Sequence, residues 1–323
     1  MTLPSDRTVQ LTGALMAVVA AIAFSGKAIF IKLAYRHGVD AITLLALRML
    51  FAAPLFLALA LWASSREGVK ALSRKQWLAI LGIGLLGNYA SSYFDFLGLQ
   101  YITAALERVL LFLYPTFVAL YVALVEGQRL SRQALFALAA SYGGIVLVFL
   151  NDLATQQTDV VLGTFWVLVS ALTYAAYLIC TGRMVRHVGS LRFSSLAALA
   201  ACLGIASHYL AVNDAVALAA QPLAVYGWAL TLAVASTVLP IVLVTEGIRR
   251  LGASRVATIG TLGPVATILL GDAFLDEPVT ALQLTGAALV TAGVLAVSLK
   301  REPAAPVLPP SSPPVAAPLP PRP

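Results

Sequence analysis

Apolar residues run along this chain in long blocks, separated by short polar knots. A helix that crosses a bilayer needs about 20 mostly apolar residues. Ten windows reach that length: 11–35, 40–62, 77–98, 101–125, 132–151, 161–182, 192–212, 223–247, 252–273 and 280–299. The first continues past Lys27 to Tyr35, too long for the apolar core of a secretory signal, so an uncleaved first span is expected. The pattern predicts an all-α integral membrane protein with ten transmembrane helices and loops too short to hold a soluble domain. It divides the chain into an N-terminus (1–10), five spans (11–151), a linker (152–160), five more spans (161–300) and a tail (301–323).

Composition supports this reading: 60% of the 323 residues are hydrophobic and 11% charged, against roughly 25% charged in a soluble domain. The net charge of +7 raises nucleic acid as a partner, but the placement of the cations argues against it. Sixteen of the 21 Lys and Arg residues fall in loops or termini on the side of the N-terminus, and only Lys32 and Arg36 in loops on the other. The second side carries Asp40, Asp152, Asp159, Asp214, Asp276 and Glu277. Basic loops stay cytoplasmic. Both termini are therefore expected in the cytoplasm, with the protein multi-pass in a bacterial inner membrane and the linker 152–160 external. The tail holds ten of the seventeen prolines and is expected to be disordered. Cys180 and Cys202 have no metal or redox spacing, and the chain has no HExxH or GxSxG. No cofactor, metal or enzymatic activity is expected.

The second half repeats the first. With a constant shift of 149 residues, Gly98 meets Gly247, Ala104 meets Ala253, Pro115 meets Pro264, Gly144 meets Gly293 and Val148 meets Val297. Upstream the shift is 150, pairing Gly13 with Gly163 and His37 with His187. Five spans is an odd number, so the halves must be inverted relative to each other. Inverted repeats are a mark of secondary transporters, with the substrate site at the repeat interface near mid-membrane. Two inverted five-helix halves, with an aromatic–Pro–x–x–x–small pattern before a polar turn and a Gly-containing last helix, resemble the EamA-type branch of the drug/metabolite transporter superfamily. The resemblance covers about residues 11–300. It implies a ten-helix transporter, commonly an exporter, with a cavity walled mainly by helices 1, 3, 4, 6, 8 and 9. Gln128 stands where members often carry Glu, and Glu277 keeps it in the second half.

The candidate site rests on charges inside the spans. The stretch ITAALERVLLFLYP sets Glu107 and Arg108 in apolar surroundings, at a cost of about 2.5–3.5 kcal/mol each on insertion scales. Helical neighbours do not face each other, so their partners must lie on other helices. Counting rise from the turn near Gln100 brings Asp95, Glu107 and Arg108 to one depth, with Lys27 and Arg48 in the same layer. Asp95 is expected to pair with Arg108 or Lys27, leaving a cation and a carboxylate to face a cavity. Such a layer suits a small amphoteric or anionic metabolite, amino acids first. A network that only fixes helix packing is the alternative, and for Arg48 the favoured one.

Asn88, Ser91, Ser92 and Asp95 form a polar stripe on the third span, and Ser170, Thr173, Tyr174, Tyr177 and Thr181 one on the sixth. With Tyr114 they complete the expected cavity wall. Glu107 and Asp95 are the acids a proton relay would use. Pro115, Pro240 and Pro264 lie within spans and mark kinks or gates. The expected partners are a small-molecule solute, membrane lipid and, if transport is coupled, protons; the assembly is a monomer or weak homodimer. A multidrug or toxic-metabolite exporter is a close variant, which the three buried cations disfavour. A channel or membrane sensor is the reading from another class.

Overall fold

The structure is a computed structural model that describes residues 6–65, 71–125, 127, 132–155 and 159–298. The expectations for the first five residues, Gln128 and the Pro-rich tail lie outside them. Fifteen α-helices account for nearly all of these residues. In the first half they are α1 (Asp6–Tyr35), α2 (Ala41–Ser64), α3 (Arg74–Gly84), α4 (Ser91–Gly98), α5 (Ala104–Leu111), α6 (Tyr114–Val125) and α7 (Arg132–Ala154). The second half contains α8 (Val160–Val188), α9 (Ser190–Val212), α10 (Ala215–Ala219), α11 (Leu223–Ala233), α12 (Leu239–Leu251), α13 (Ala253–Gly260), α14 (Gly263–Leu275) and α15 (Ala281–Ser298).

Eight helical stretches are long and apolar enough to cross a membrane. The sequence windows 77–98 and 280–299 contain helix too, the latter over Ala281–Ser298, but fall outside those eight. The first is α3 and α4 joined by a π-helical turn, with Asn88, Ser91, Ser92 and Asp95 along it; the second is a shorter apolar helix.

The repeat is visible in the irregularities as well as in the helices. The π turn Leu85–Ala90 has its mate, at the 149-residue shift, in the π turn Val234–Val238. Extra residues of this kind bend a helix. The non-helical step at Phe112–Leu113 recurs at Thr261–Leu262, each followed by a helix that begins at Tyr114-Pro115 or Gly263-Pro264. Proline has no N–H to donate and suits the first helical turn. Pro240 likewise sits in the first turn of α12. Pro115 and Pro264 thus begin new helices, whereas Pro240 follows the π turn within one continuous helical stretch, Leu223–Leu251.

Packing follows the same symmetry. Gly13 near the start of α1 lies against Arg250 and Leu251, and Gly247 lies against Gly13. Its mate Gly163 lies against Gly98, Tyr101 and Ile102. These contacts stand at opposite ends of the bundle, so the halves run in opposite senses. α1 packs on α11 to α14 as α8 packs on α3 to α6; α2 pairs with α9 and α7 with α15 across the two-fold. We call the end bearing loops 36–40, 99–103 and 276–280 the acidic end and the opposite one the basic end.

The α7–α15 pair is close enough that a Cβ on Gly144 would collide with the Gly286 carbonyl, and one on Gly286 with the Gly144 carbonyl. Gly143, one residue away, has open space. Gly144→Ala is therefore expected to cost about 1–3 kcal/mol by overpacking. Gly143→Ala should be neutral or stabilising by up to about 1 kcal/mol from helix propensity. Thermal unfolding of the two variants in detergent checks the contrast.

One boundary needs correction. Asp152 is expected in an external linker, yet α7 continues to Ala154 and buries it completely. Its carboxylate accepts from the Thr103 backbone N–H at 3.0 Å and from the Thr103 hydroxyl at 2.8 and 2.9 Å. Thr103 in turn caps α5 by accepting from the Leu106 N–H. An acid beside the first turn of a helix satisfies donors that have no partner within the helix.

Candidate functional site at the repeat interface

Four elements bring the buried charges together: the middle of α1, the end of α4, the first turns of α5, and the break before α14. Lys27 reaches two carboxylates, Asp95 at 2.6 Å and Glu107 at 3.1 Å. Glu107 has no exposed surface and Asp95 almost none, while 18% of the Lys27 side chain is exposed. Of the two pairings the sequence leaves open for Asp95, the geometry selects Lys27. One cation between two carboxylates leaves a net negative charge when all three ionise. Asp95 Oδ1 and Glu107 Oε2 accept no hydrogen bond of good geometry, and Glu107 Oε1 meets Lys27 only as an ion pair. A carboxylate surrounded by protein with unused acceptors is a place for a proton or a ligand cation.

Arg108 points elsewhere, as its position next to Glu107 requires. Its guanidinium lies 5.4 Å from the centre of the Phe112 ring and against the bare Cα of Gly263 at the α14 break. A Cβ at Gly263 would meet the Arg108 nitrogens. Among the described residues nothing accepts a hydrogen bond from Arg108, and its Nε is buried without a partner. The break is also held from α1, where the Ser25 hydroxyl donates to the Gly263 carbonyl at 3.1 Å.

Aromatic residues complete this region. Tyr114 meets Tyr174 edge-on at 5.3 Å, Tyr174 stacks on Tyr177 at 5.8 Å, and Tyr177 on Phe193 at 6.4 Å. Tyr177 packs directly on Gly87 in the π turn and lies beside Asn88. Ser91 is buried against Ser170, whose hydroxyl donates to the Ser91 carbonyl at 2.8 Å. Ser92 is half-buried. The third span contains the π turn Leu85–Ala90; Asn88 and Ser91 both meet α8, whereas Asp95 turns to Lys27 of α1.

Arg48 does not join the cluster. It is buried on α2, its Nε donates to the Thr237 hydroxyl at 2.9 Å, and its guanidinium covers the Phe96 ring at 5.4 Å. Thr237, within the second π turn, itself donates to the Leu232 carbonyl at 2.8 Å. Arg48 therefore tethers that turn to the first half.

A cavity of about 380 Å³ lies at the acidic end, lined by Lys32, Arg36, Gln100, Asn151, Asp276, Glu277 and neighbours. None of the residues expected to line a cavity borders it. Lys32 and Glu277 pair there at 2.8 Å, both largely buried, and Glu277 also accepts from the Ala104 N–H at 3.1 Å. Arg36 donates to the Leu275 carbonyl at 2.9 Å and lies 3.3 Å from Asp276. Sequence reading places these four among loop charges. Their signal is the presence of two cations and two acids at the ends of facing half-repeats.

A buried polar layer between two antiparallel half-bundles, in helices broken at symmetry-related points, defines a polytopic membrane transporter. The model of the EamA-like transporter family matches residues 11–150 and again 161–299, and the chain belongs to that family. It is similar to the uncharacterized transporter YcbK of Bacillus subtilis (strain 168), 34% identical over 280 residues, 85% of this chain and 88% of the relative. A second transporter of that organism, YyaM, is 23% identical over 72% of this chain and 77% of its own. One solved crystal structure superposes with a TM-score of 0.59 at 18% identity, over 90% of this chain and 98% of its own, and shows the fold.

Proposed function

We propose that the chain is a secondary transporter that exports a small amphoteric or anionic metabolite, amino acids and related compounds first, by alternating access at the repeat interface. The observation that carries this reading is Arg108, a guanidinium with no acceptor among the described residues, set beside a Lys27–Asp95–Glu107 cluster in which Asp95 Oδ1 and Glu107 Oε2 have no hydrogen-bond partner. An uncompensated charge held among helices is costly. A solute carboxylate on Arg108 satisfies it, and a solute ammonium is matched to the excess negative charge of the cluster. The Tyr114–Tyr174–Tyr177 face offers apolar contact to the rest of the solute. Asp95 and Glu107 are the groups on which a coupling proton would ride. The basic end is assigned to the cytoplasm of a bacterial inner membrane, both termini with it, since basic loops are retained there.

Counterflow tests the reading. Proteoliposomes loaded with one amino acid or related metabolite at a time, and then offered the labelled compound, should show saturable uptake beyond equilibrium for at least one amphoteric or anionic solute. Ohmic conductance without counterflow points to a channel instead, and counterflow only with organic cations points to a multidrug exporter.

A further inference from the structure

The two ends of this symmetric fold are chemically unlike. At the acidic end α1 of the first half meets the α14–α15 loop of the second through Lys32 and Glu277. The side chains are 20% and 11% exposed, so the pair lies largely out of water. Glu277 is fixed twice, since it also accepts from the Ala104 N–H at the start of α5, and Lys32 donates to the Ile102 carbonyl at 2.8 Å. Thr280 donates to Asn151 across the same seam at 2.7 Å. The Arg36–Asp276 pair is exposed and adds little. The Lys32–Glu277 contact stands about 7.5 Å, five residues of helix rise, beyond Lys27.

The repeat register names the residues that would build the same contact at the basic end. Lys32 corresponds to Gly182, Glu277 to Gln128, Arg36 to Arg186, Asn151 to Lys300 and Asp152 to Arg301. None of these mates is an acid, and three are cations. Glu246 in α12 is bound by Arg249 and Arg250 of its own helix, at 2.6 and 2.7 Å. Repeat symmetry thus supplies an acid–base pair at the acidic end and, in the sequence, no acid among the mates with which to build the same pair at the other.

We propose that Lys32 and Glu277 form a one-sided latch that holds the acidic end shut in the resting protein, so that the solute-free carrier favours the state closed at the acidic end. Combined with the orientation and transport reading above, the latch makes solute load from the cytoplasm and ties release to breaking one ion pair. Lys32 and Glu277 act as positioning residues that set the balance of states without touching solute.

The test reads conformation rather than transport. Ala28 is buried one helical turn below Lys32 on the same face of α1, and Ala287 is buried in the α7–α15 scaffold. Ala28→Cys, in a Cys180→Ser, Cys202→Ala background reconstituted in nanodiscs, is treated with a membrane-impermeant maleimide. Labelling should be slow, and Lys32→Gln or Glu277→Gln should speed it roughly tenfold or more, as loss of a charge-assisted contact implies. Glu277→Gln keeps an acceptor for the Ala104 N–H, and Lys32→Arg keeps the charge and should leave labelling slow. Unchanged labelling in both glutamine variants overturns the latch. So does acceleration by Lys32→Arg equal to that by Lys32→Gln, or an equal rise at an Ala287→Cys control, which marks general loosening. Because no solute is present, a failed latch and failed counterflow are separate results.

Discussion

Arg108→Gln is expected to abolish solute counterflow while leaving thermal stability equal to or above that of the native chain. The two halves of this expectation come from the same geometry. Arg108 contributes no ion pair and no hydrogen bond among the described residues, only contact with Phe112 and Gly263. Its removal loses the contact with the Phe112 ring but breaks no ion pair or hydrogen bond among the described residues, and it relieves a half-buried charge. A hydrogen bond to a charged group contributes about 1.5–3 kcal/mol, and 1.4 kcal/mol is tenfold in affinity. Losing such a contact with a solute carboxylate therefore weakens binding by about ten- to a hundredfold or more. Arg108→Lys should fall between, since an ammonium keeps the charge but not the planar fork. Counterflow beside thermal unfolding in detergent decides it. Loss of stability together with transport makes Arg108 a packing residue.

Lys27→Ala has the opposite signature: both stability and transport should collapse. Among the described residues Lys27 alone bridges Asp95 and Glu107, and its loss leaves two adjacent carboxylates in a site where neither can be hydrated. Removing one partner of a buried ion pair costs about 3–5 kcal/mol because the remaining charge is uncompensated. The triple variant Lys27→Met, Asp95→Asn, Glu107→Gln removes charge and partner together, and should recover much of the lost stability, since buried ion pairs are often replaceable by neutral groups. It should not recover transport. Recovery of counterflow would make the cluster structural and answer the puzzle of Glu107 with packing alone.

These predictions use contacts that the sequence foreshadows unevenly. Glu107 and Arg108 stand out as charges in an apolar run, and helix rise is enough to bring Asp95 and Lys27 to their depth. Rise says nothing about azimuth across helices, so it cannot choose between Lys27 and Arg108 as the partner of Asp95. It also cannot foresee that Arg48 turns to Thr237 and Phe96. The polar stripe on the third span divides between partners, since Asn88 and Ser91 meet α8 whereas Asp95 turns to Lys27 of α1. Asp152 is read as a loop residue because charge marks span ends. A capping interaction with Thr103 keeps it inside α7.

By itself the sequence determined the solvent and the architecture. Blocks of about 20 apolar residues are stable only as helices in lipid, because every backbone polar group must be satisfied internally. A repeat of odd span number must be inverted, and the Gly and Pro register that reveals the repeat marks the close contacts Gly98–Gly163 and Gly13–Gly247 and the breaks before Pro115 and Pro264. Only the tertiary structure decided which charges neutralise each other. Ion pairing depends on side-chain direction and on a few ångströms between helices far apart in sequence, as with Lys27 to Asp95 and Lys32 to Glu277. Periodicity within one helix carries no record of either quantity.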